Sequence, residues 1–600
     1  MGMTGPFAAR DAGPNHGPPG QGVDLAQLAG WELVVAPEAG PGVRYAAEEF
    51  QHFCALATGS RLPIVTRAHQ GRPALYLGPS SAMRNSPVGF SVTDFAPEEY
   101  RIVLRPAGIA VAGGSPRGTL YGVYALLEDH FGVRFLTAAH THVPALTSPH
   151  WVGPLDRQYR PPLLLRWSYY QENARAPEFA TRMRINAITD DPRLGGRSRQ
   201  RLISHSFHRQ IPSARYGLEH PDYYALRDGV RLPPAENDIA ASQPCLTHPE
   251  VLRIVTEAVL ADLRDDPGVS NVAVSQNDSR RHCQCPECAR LDQREATPMG
   301  SLLTFVNAVA ERVAADHPEV QVGTLAYQYS RRPPANLKPR PNVQIQLCSI
   351  ECCQLHSIDD PSCPRNAPFQ KDLEAWGRIC DQIFIWNYTT NFENYLLPMP
   401  NLRVIGRNIR TFVAMGAKGL FMQGAGDAIG SEFADLRNYL ISRLLWDPSL
   451  DDQALIDEFL DLHYGPSAGP IRAYLQRIQD RAQASGRHQA CFAKLFEYGL
   501  DASDAEAGLA AFAQALALAP TPEVADRVRK ASISAYRAAL EPVWYPEAAP
   551  VDPVLAERLR PLAEPFLALC ETFGIDRPQE DGALAPIRQH LQTVLGLTRE

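Results

Sequence analysis

Gln382-Ile-Phe-Ile-Trp-Asn-Tyr388 is an apolar run that breaks into aromatic and amide side chains. Four other segments have the same form: Asn271-Val-Ala-Val-Ser-Gln-Asn-Asp278, Gln321-Val-Gly-Thr-Leu-Ala-Tyr-Gln328, Val343-Gln-Ile-Gln-Leu-Cys-Ser-Ile-Glu351 and Gly419-Leu-Phe-Met-Gln423. A helix-length segment follows most of them. Parallel strands covered on both faces read as apolar runs. Repeated with helices, they predict an α/β protein built on a (β/α)8 TIM barrel, whose chemistry gathers at the C-terminal strand ends. Here those ends carry Asp278, Tyr327, Glu351, Trp386, Asn387, Tyr388 and Gln423. Two carboxylates among aromatics and amides are the makings of a carbohydrate site.

Working outward, Leu163-Leu-Leu-Arg-Trp-Ser168, Asn186-Ala-Ile-Thr189 and Leu202-Ile-Ser-His-Ser-Phe-His208 supply the first three barrel strands, and a helix over 433–445 closes the ring. The barrel is expected over 160–450. Before it, residues 25–150 read as a small α+β domain: strand, helix and strand over 31–79, a hairpin over 100–112 and a helix over 119–131. After it, apolar residues at three- and four-residue spacing predict helices over 452–462, 470–485, 504–518, 521–540 and 553–573. Residues 1–24 are rich in Gly and Pro and have no apolar core of a signal peptide, so they are expected to be a disordered leader. A cytoplasmic protein is the corresponding expectation, with a secreted or periplasmic one as the alternative if the start lies elsewhere.

Charged residues make up 21% and hydrophobic residues 45% of the 600, and the net charge of −8 is spread along the chain. There is no basic block, which argues against nucleic acid or an anionic membrane surface as partner. No apolar stretch reaches the length of a membrane span.

Longer motifs carry a resemblance. Gly114-Ser-Pro-Arg-Gly-Thr-Leu-Tyr-Gly-Val-Tyr-Ala-Leu-Leu-Glu128 with Gly132-Val-Arg-Phe135 resembles the end of the small domain that precedes the barrel in α-glucuronidases and β-hexosaminidases. Val274-Ser-Gln-Asn-Asp278, Cys283-Gln-Cys-Pro-Glu-Cys288, Thr324-Leu-Ala-Tyr-Gln-Tyr329, Leu347-Cys-Ser-Ile-Glu-Cys-Cys353 and Ile385-Trp-Asn-Tyr-Thr-Thr-Asn-Phe-Glu-Asn-Tyr395 resemble the DUF4838 family of uncharacterised proteins. The likeness runs over about residues 30–470. It implies a glycoside hydrolase fold and an α-glucuronidase-like O-glycosyl hydrolase, although fold alone does not confer activity.

Glycoside hydrolysis needs a carboxylic acid to protonate the leaving oxygen and a second carboxylate to activate water or attack the anomeric carbon. Acids follow strand four in related barrels, so Asp278 is the candidate acid and Glu351 the candidate base. The plain alternatives are that Asp278 caps its loop and binds Arg280 and Arg281, and that Glu351 sits in an ion pair with a neighbouring arginine. Strand seven departs from the α-glucuronidase pattern: after Trp386-Asn387-Tyr388 no carboxylate occurs until Glu393. Trp386, Tyr388, Tyr327 and Tyr395 are candidates to stack on sugar rings, and Asn277, Asn387 and Gln423 to bind hydroxyls. His205 and His208 end strand three, and Arg166 and Trp167 lie near the end of strand one, where an arginine suits an acidic sugar. The expected activity is hydrolysis of an oligosaccharide or glycoconjugate, with acidic and amino sugars as candidate classes. A non-catalytic carbohydrate-binding barrel is the alternative.

Cys283, Cys285 and Cys288 form Cys-x-Cys-x-x-Cys beside His282. This spacing fits a structural zinc, with Cys352 or Cys353 as fourth ligand. Free thiols or a disulfide are the other readings. No cofactor is expected for catalysis.

Overall fold

A computed structural model describes residues 21–234, 238–545 and 552–597. The expected leader therefore lies outside the described residues up to residue 20. Its last two residues do not fit that reading: Val23 and Asp24 pair antiparallel with Val152 and Trp151, and Val23 is buried.

The N-terminal domain is a six-stranded sheet. Its elements are β1 Glu32–Val35, α1 Pro41–Thr58, β2 Ile64–Val65, β3 Ala74–Leu77, β4 Tyr100–Arg105, β5 Gly108–Gly113, α2 Gly118–His130 and β6 Leu155–Tyr159. The strand order is β6-β4-β5-β3-β1-β2. The domain thus reaches Tyr159, beyond the expected boundary at 150, because β6 pairs with β4 over five residues. α2 is buried along nearly its whole length, which explains its apolar, weakly patterned sequence.

The second sheet is the curled parallel one. Its strands are β7 Leu165–Tyr169, β8 Asn271–Ala273, β9 Gln321–Ala326, β10 Val343–Cys348, β11 Ile383–Tyr388 and β12 Gly419–Gln423. The order is β7-β12-β11-β10-β9-β8: the first strand pairs with the last in sequence, and β7 and β8 are the two edges of a curled half-barrel sheet. Helices follow: α3 Pro249–Asp265 before β8, then α4 Pro286–Glu295, α5 Met299–Asp316, α6 Ala367–Gly377, α7 Leu402–Ala414 and α8 Ala434–Trp446.

Six of the eight expected strands form. Residues 186–189 and 202–208 are not strands; 207–210 is a helical turn. The reason lies in two asparagine side chains. Asn186 accepts from the Arg166 amide through Oδ1 (3.0 Å) and donates through Nδ2 to Leu164 O (3.0 Å), so an amide occupies the free edge of β7. Asn271 does the same at the edge of β8, accepting from Arg201 N (2.7 Å) and donating to Arg201 O (2.8 Å). Side-chain amides thus replace ladder bonds that regular strands would make. Segment 202–208 still packs against the sheet. A Cβ on Gly323 of β9 would stand 2.3 Å from Ile203 Cγ1, so the strand needs glycine there.

The two sheets are joined by buried ion pairs. Glu98 meets Arg166 of β7 (2.7 Å) and Arg117 at the start of α2 (2.8 Å). Burial pushes the Glu98 carboxyl up, but the two guanidinium groups outweigh it and hold it below the ordinary range. Glu128 of α2 bonds Arg184 (2.6 Å) in the same seam.

After α8 the chain is helical as expected: α9 Asp452–Tyr464, α10 Ala468–Ala484, α11 Ala502–Ala517, α12 Pro522–Ala539, α13 Pro553–Thr572 and α14 Leu584–Leu595. Among the described residues no helix is long and apolar enough to cross a membrane.

Candidate active site

Side chains alternate across a strand, and this sorts the predicted residues. On β7 Trp167 and Tyr169 face the interior of the curled sheet, where both meet the Phe421 ring (5.1 and 5.3 Å). Arg166 and Ser168 face the other way. Arg166 is fully buried, bonded to Glu98, Leu163 O and Arg184 O, with its guanidinium over Tyr121 and Trp446. It is therefore not at the mouth: alternation puts it in the seam with the N-terminal domain.

On β11 Trp386 and Tyr388 face inward. Their rings stack at 6.3 Å, and Trp386 stands edge-on to Phe421 at 4.9 Å. Trp386 Nε1 donates to Gln423 Oε1 (2.6 Å), which fixes the half-buried indole. Tyr327 and His205 complete this aromatic wall, with ring centres 5.8 Å apart and His205 6.5 Å from Trp386. His205 Nδ1 lies 2.7 Å from Gln276 O, so Nδ1 carries the proton in the neutral ring and Nε2 is left as an acceptor.

Other predicted residues are committed elsewhere. Asn277 uses its amide to hold backbone, accepting from His208 N (2.8 Å) and donating to Ser242 O (2.9 Å). His208 lines a separate small cleft with Ile211, Pro212 and Tyr224. Burial, with Arg209 and His205 nearby, holds its imidazole below the ordinary range. Asn387 accepts from Ser349 Oγ (2.9 Å) and is buried.

The two predicted carboxylates differ in setting. β8 ends at Ala273, so Asp278 sits on the loop beyond it, where it is exposed and accepts from Tyr327 OH (3.1 Å). Burial, followed by the Asp278 charge, pushes the Tyr327 phenol far up. Glu351 is instead gripped by two arginines, Arg280 (3.1 Å) and Arg331 (2.7 Å). Arg331 also bonds Asp372 (2.8 Å) on the covering helix α6. That network draws Glu351 toward the helix layer and is the ion-pair arrangement.

Two further carboxylates join Asp278, and neither was anticipated. Asp427, four residues past β12, accepts from Tyr395 OH (2.8 Å) and pairs with Arg577 (3.3 Å). Glu580 comes from the link between α13 and α14. Its amide donates to Phe392 O (2.9 Å), and Tyr395 N donates to Pro578 O (2.8 Å), so this link lies across the loop after β11. Phe392 in turn packs on Tyr388 (5.8 Å). Burial pushes the Glu580 carboxyl up to about 7, helped by the negative charges of Asp581, Asp427 and Asp278. Sequence periodicity carries no signal for Glu580, because its place depends on the helical region folding back over the sheet. Asp427 lay within reach: it is the first carboxylate after the eighth strand end.

The cysteine cluster is completed by a residue the motif did not contain. Cys245, Cys283, Cys285 and Cys288 are buried with their sulfurs all within 4.8 Å of one another. The fourth member is Cys245, not Cys352 or Cys353; its sulfur is 3.7 Å from that of Cys285. The Leu226 amide donates to Cys283 Sγ (3.3 Å). Among the described residues, which include all twelve cysteines, none is joined in a disulfide.

Residues 135–476 match the family model described as a domain of unknown function, DUF4838. The chain belongs to the DUF4838 family. The matched region runs from the end of the N-terminal domain through the curled sheet and into α10, and so contains Asp278, Trp386 and Asp427 but not Glu580. No curated protein is significantly similar to the chain. Among solved structures, the chain resembles a GH115 4-O-methyl-α-glucuronidase, BtGH115A, specific for decorated arabinogalactans, with a TM-score of 0.56 and 11% identity over 91% of this chain and 76% of that one. A GH20 β-N-acetylhexosaminidase from Streptomyces coelicolor A3(2) aligns with a TM-score of 0.40 and 14% identity over 75% and 95% of the two chains. At these identities the first likeness is one of fold, and the second adds no argument.

Proposed function

We propose that this DUF4838 protein is a glycoside hydrolase acting on an oligosaccharide or glycoconjugate, with Asp278 and Glu580 as its working carboxylates. One observation carries the reading: the Glu580 amide donates to Phe392 O (2.9 Å), whose ring packs on Tyr388 (5.8 Å), so a carboxyl that burial and then the charges of Asp581, Asp427 and Asp278 push up to about 7 lies beside the aromatic wall. An acid that keeps its proton near neutral pH is what protonating a glycosidic oxygen requires. Burial raises the Glu580 carboxyl most, and the nearby negative charges of Asp581, Asp427 and Asp278 push it further the same way. Asp278 supplies the second carboxylate, oriented by the Tyr327 hydroxyl. Trp386, with Tyr388 and Trp167, offers apolar ring faces to a sugar, and His205 Nε2 and Gln423 offer polar contacts. A full (β/α)8 arrangement, with the irregular segments at 186–189 and 202–208 standing in for two strands, fits this reading and the β7–β12 pairing.

The buried sulfurs of Cys245, Cys283, Cys285 and Cys288 fit a structural zinc. A tetrahedron with Zn–S of about 2.3 Å has edges of about 3.8 Å, close to the Cys245–Cys285 separation. Such an ion would brace the loop that carries Asp278. Acid–base hydrolysis by the carboxylates needs no cofactor.

The test is a panel of aryl glycosides and oligosaccharides, acidic and amino sugars included, incubated with the purified protein. Release of product from at least one class is expected. Binding of a saccharide without any turnover across the panel would instead make this a carbohydrate-binding protein.

A further inference from the structure

We infer that the chain holds a second metal site, of the Cys2His2 type, formed by Cys353, His356, Cys363 and His488. One ligand atom from each residue lies within 4.8 Å of all the others, and both sulfurs are buried. Cys353 Sγ is 3.3 Å from His356 Nδ1, and Cys363 Sγ is 3.2 Å from His488 Nδ1. The edge between sulfur and nitrogen in a tetrahedral zinc site with Zn–S of about 2.3 Å and Zn–N of about 2.0–2.1 Å is about 3.5 Å. The four atoms therefore stand close to coordinating distance before any ion is added.

The surroundings are those of a prepared site. Three ligands come from one loop, spaced Cys-x-x-His-x6-Cys after β10. That loop is locked by Asn366, fully buried, which accepts from Cys353 N (2.7 Å) and donates to His356 O (2.9 Å) and Ser357 O (3.0 Å). The Leu355 amide donates to Cys353 Sγ (3.4 Å), and supporting bonds of this kind orient metal ligands. The fourth ligand arrives from the helical region, 125 positions further on. Gln354 N donates to Gln489 O (2.7 Å), which holds that segment in place. The His356 and His488 rings face each other 4.4 Å apart. Two thiols and two imidazoles gathered from distant parts of the chain are the soft and borderline ligands zinc prefers.

Such an ion would tie the helical region to the sheet beside the mouth. Three residues beyond His488, Cys491 packs in the aromatic interior with Tyr327, Tyr388 and Phe392, and Cys491 O accepts from Phe392 N (2.9 Å).

The test uses the full-length protein, with metal content by mass spectrometry and cobalt(II) substitution as the readouts. The wild-type chain should carry about one more equivalent of zinc than His488→Ala, whatever the Cys245 cluster holds. The cobalt difference spectrum between the two should be that of a two-sulfur, two-nitrogen tetrahedral site. If His488→Ala does not fold, His488→Cys keeps a ligand and should bind the ion with a spectrum shifted toward three sulfurs. Equal zinc in wild type and His488→Ala, or a cobalt spectrum unchanged by His488→Cys, would overturn the assignment and leave two thiol–imidazole hydrogen bonds.

Discussion

Glu580→Gln should change how stability depends on pH. The carboxyl is raised from 4.5 to about 7 in the folded protein. At about 1.36 kcal/mol per pH unit, full burial would make this about 3 kcal/mol. Glu580 is partly exposed, so solvent screening reduces it to about 1–2 kcal/mol. The sign follows from proton binding: the folded state holds the proton more tightly, so the contribution is complete below about 4.5 and is lost as pH rises through about 7. Glutamine cannot ionise and removes that slope. The assay is urea unfolding of wild type and Glu580→Gln at a series of pH values from 4 to 8. The variant should gain on the wild type by about 1–2 kcal/mol between the two ends of that window. Parallel stability curves would mean that Glu580 titrates normally, and the proposed acid would lose its physical basis.

Other consequences follow from the same geometry. Arg166→Met should lower unfolding free energy by about 3–5 kcal/mol, because it leaves the buried Glu98 short of a partner; a variant as stable as wild type with weakened saccharide binding would put Arg166 back at the mouth. Trp386→Ala should weaken saccharide binding by about 1–3 kcal/mol, by analogy with base–aromatic stacking, with little change in melting temperature. A collapse of the fold with no loss specific to ligand would make it core. Cys245→Ser should lose about one equivalent of zinc relative to wild type and melt earlier, since metal binding is linked to folding; unchanged zinc content would exclude Cys245 as the fourth ligand.

What was legible in the sequence was what periodicity encodes. The apolar runs ending at Ala326, Cys348, Tyr388 and Gln423 are strands, and the five helices expected after Trp446 fall within a few residues of their expected ends, while Leu584–Leu595 was not foreseen. Residues 186–189 and 202–208 were misread because Asn186 and Asn271 complete the sheet edges with side chains, which hydrophobic pattern does not register. Arg166 was misplaced by one step of strand alternation: sequence gave its nearness to a strand end but not its face. Glu580 and Cys245 were missed for a different reason. Each reaches its cluster through contacts between segments far apart in the chain, and no local spacing marks such a contact. That Trp386, Tyr327, Gln423 and His205 lie close together was legible because aromatics and amides ending apolar runs are unusual in a buried sheet.

The sharpest measurement compares two isosteric variants, Asp278→Asn and Glu351→Gln, for turnover of one cleaved glycoside. Asp278 stands in the same field as Glu580, whereas Glu351 is bound by Arg280 and Arg331. Turnover should therefore fall by orders of magnitude in Asp278→Asn and stay within about tenfold of wild type in Glu351→Gln. The opposite ranking would contradict the account and return the chemistry to Glu351.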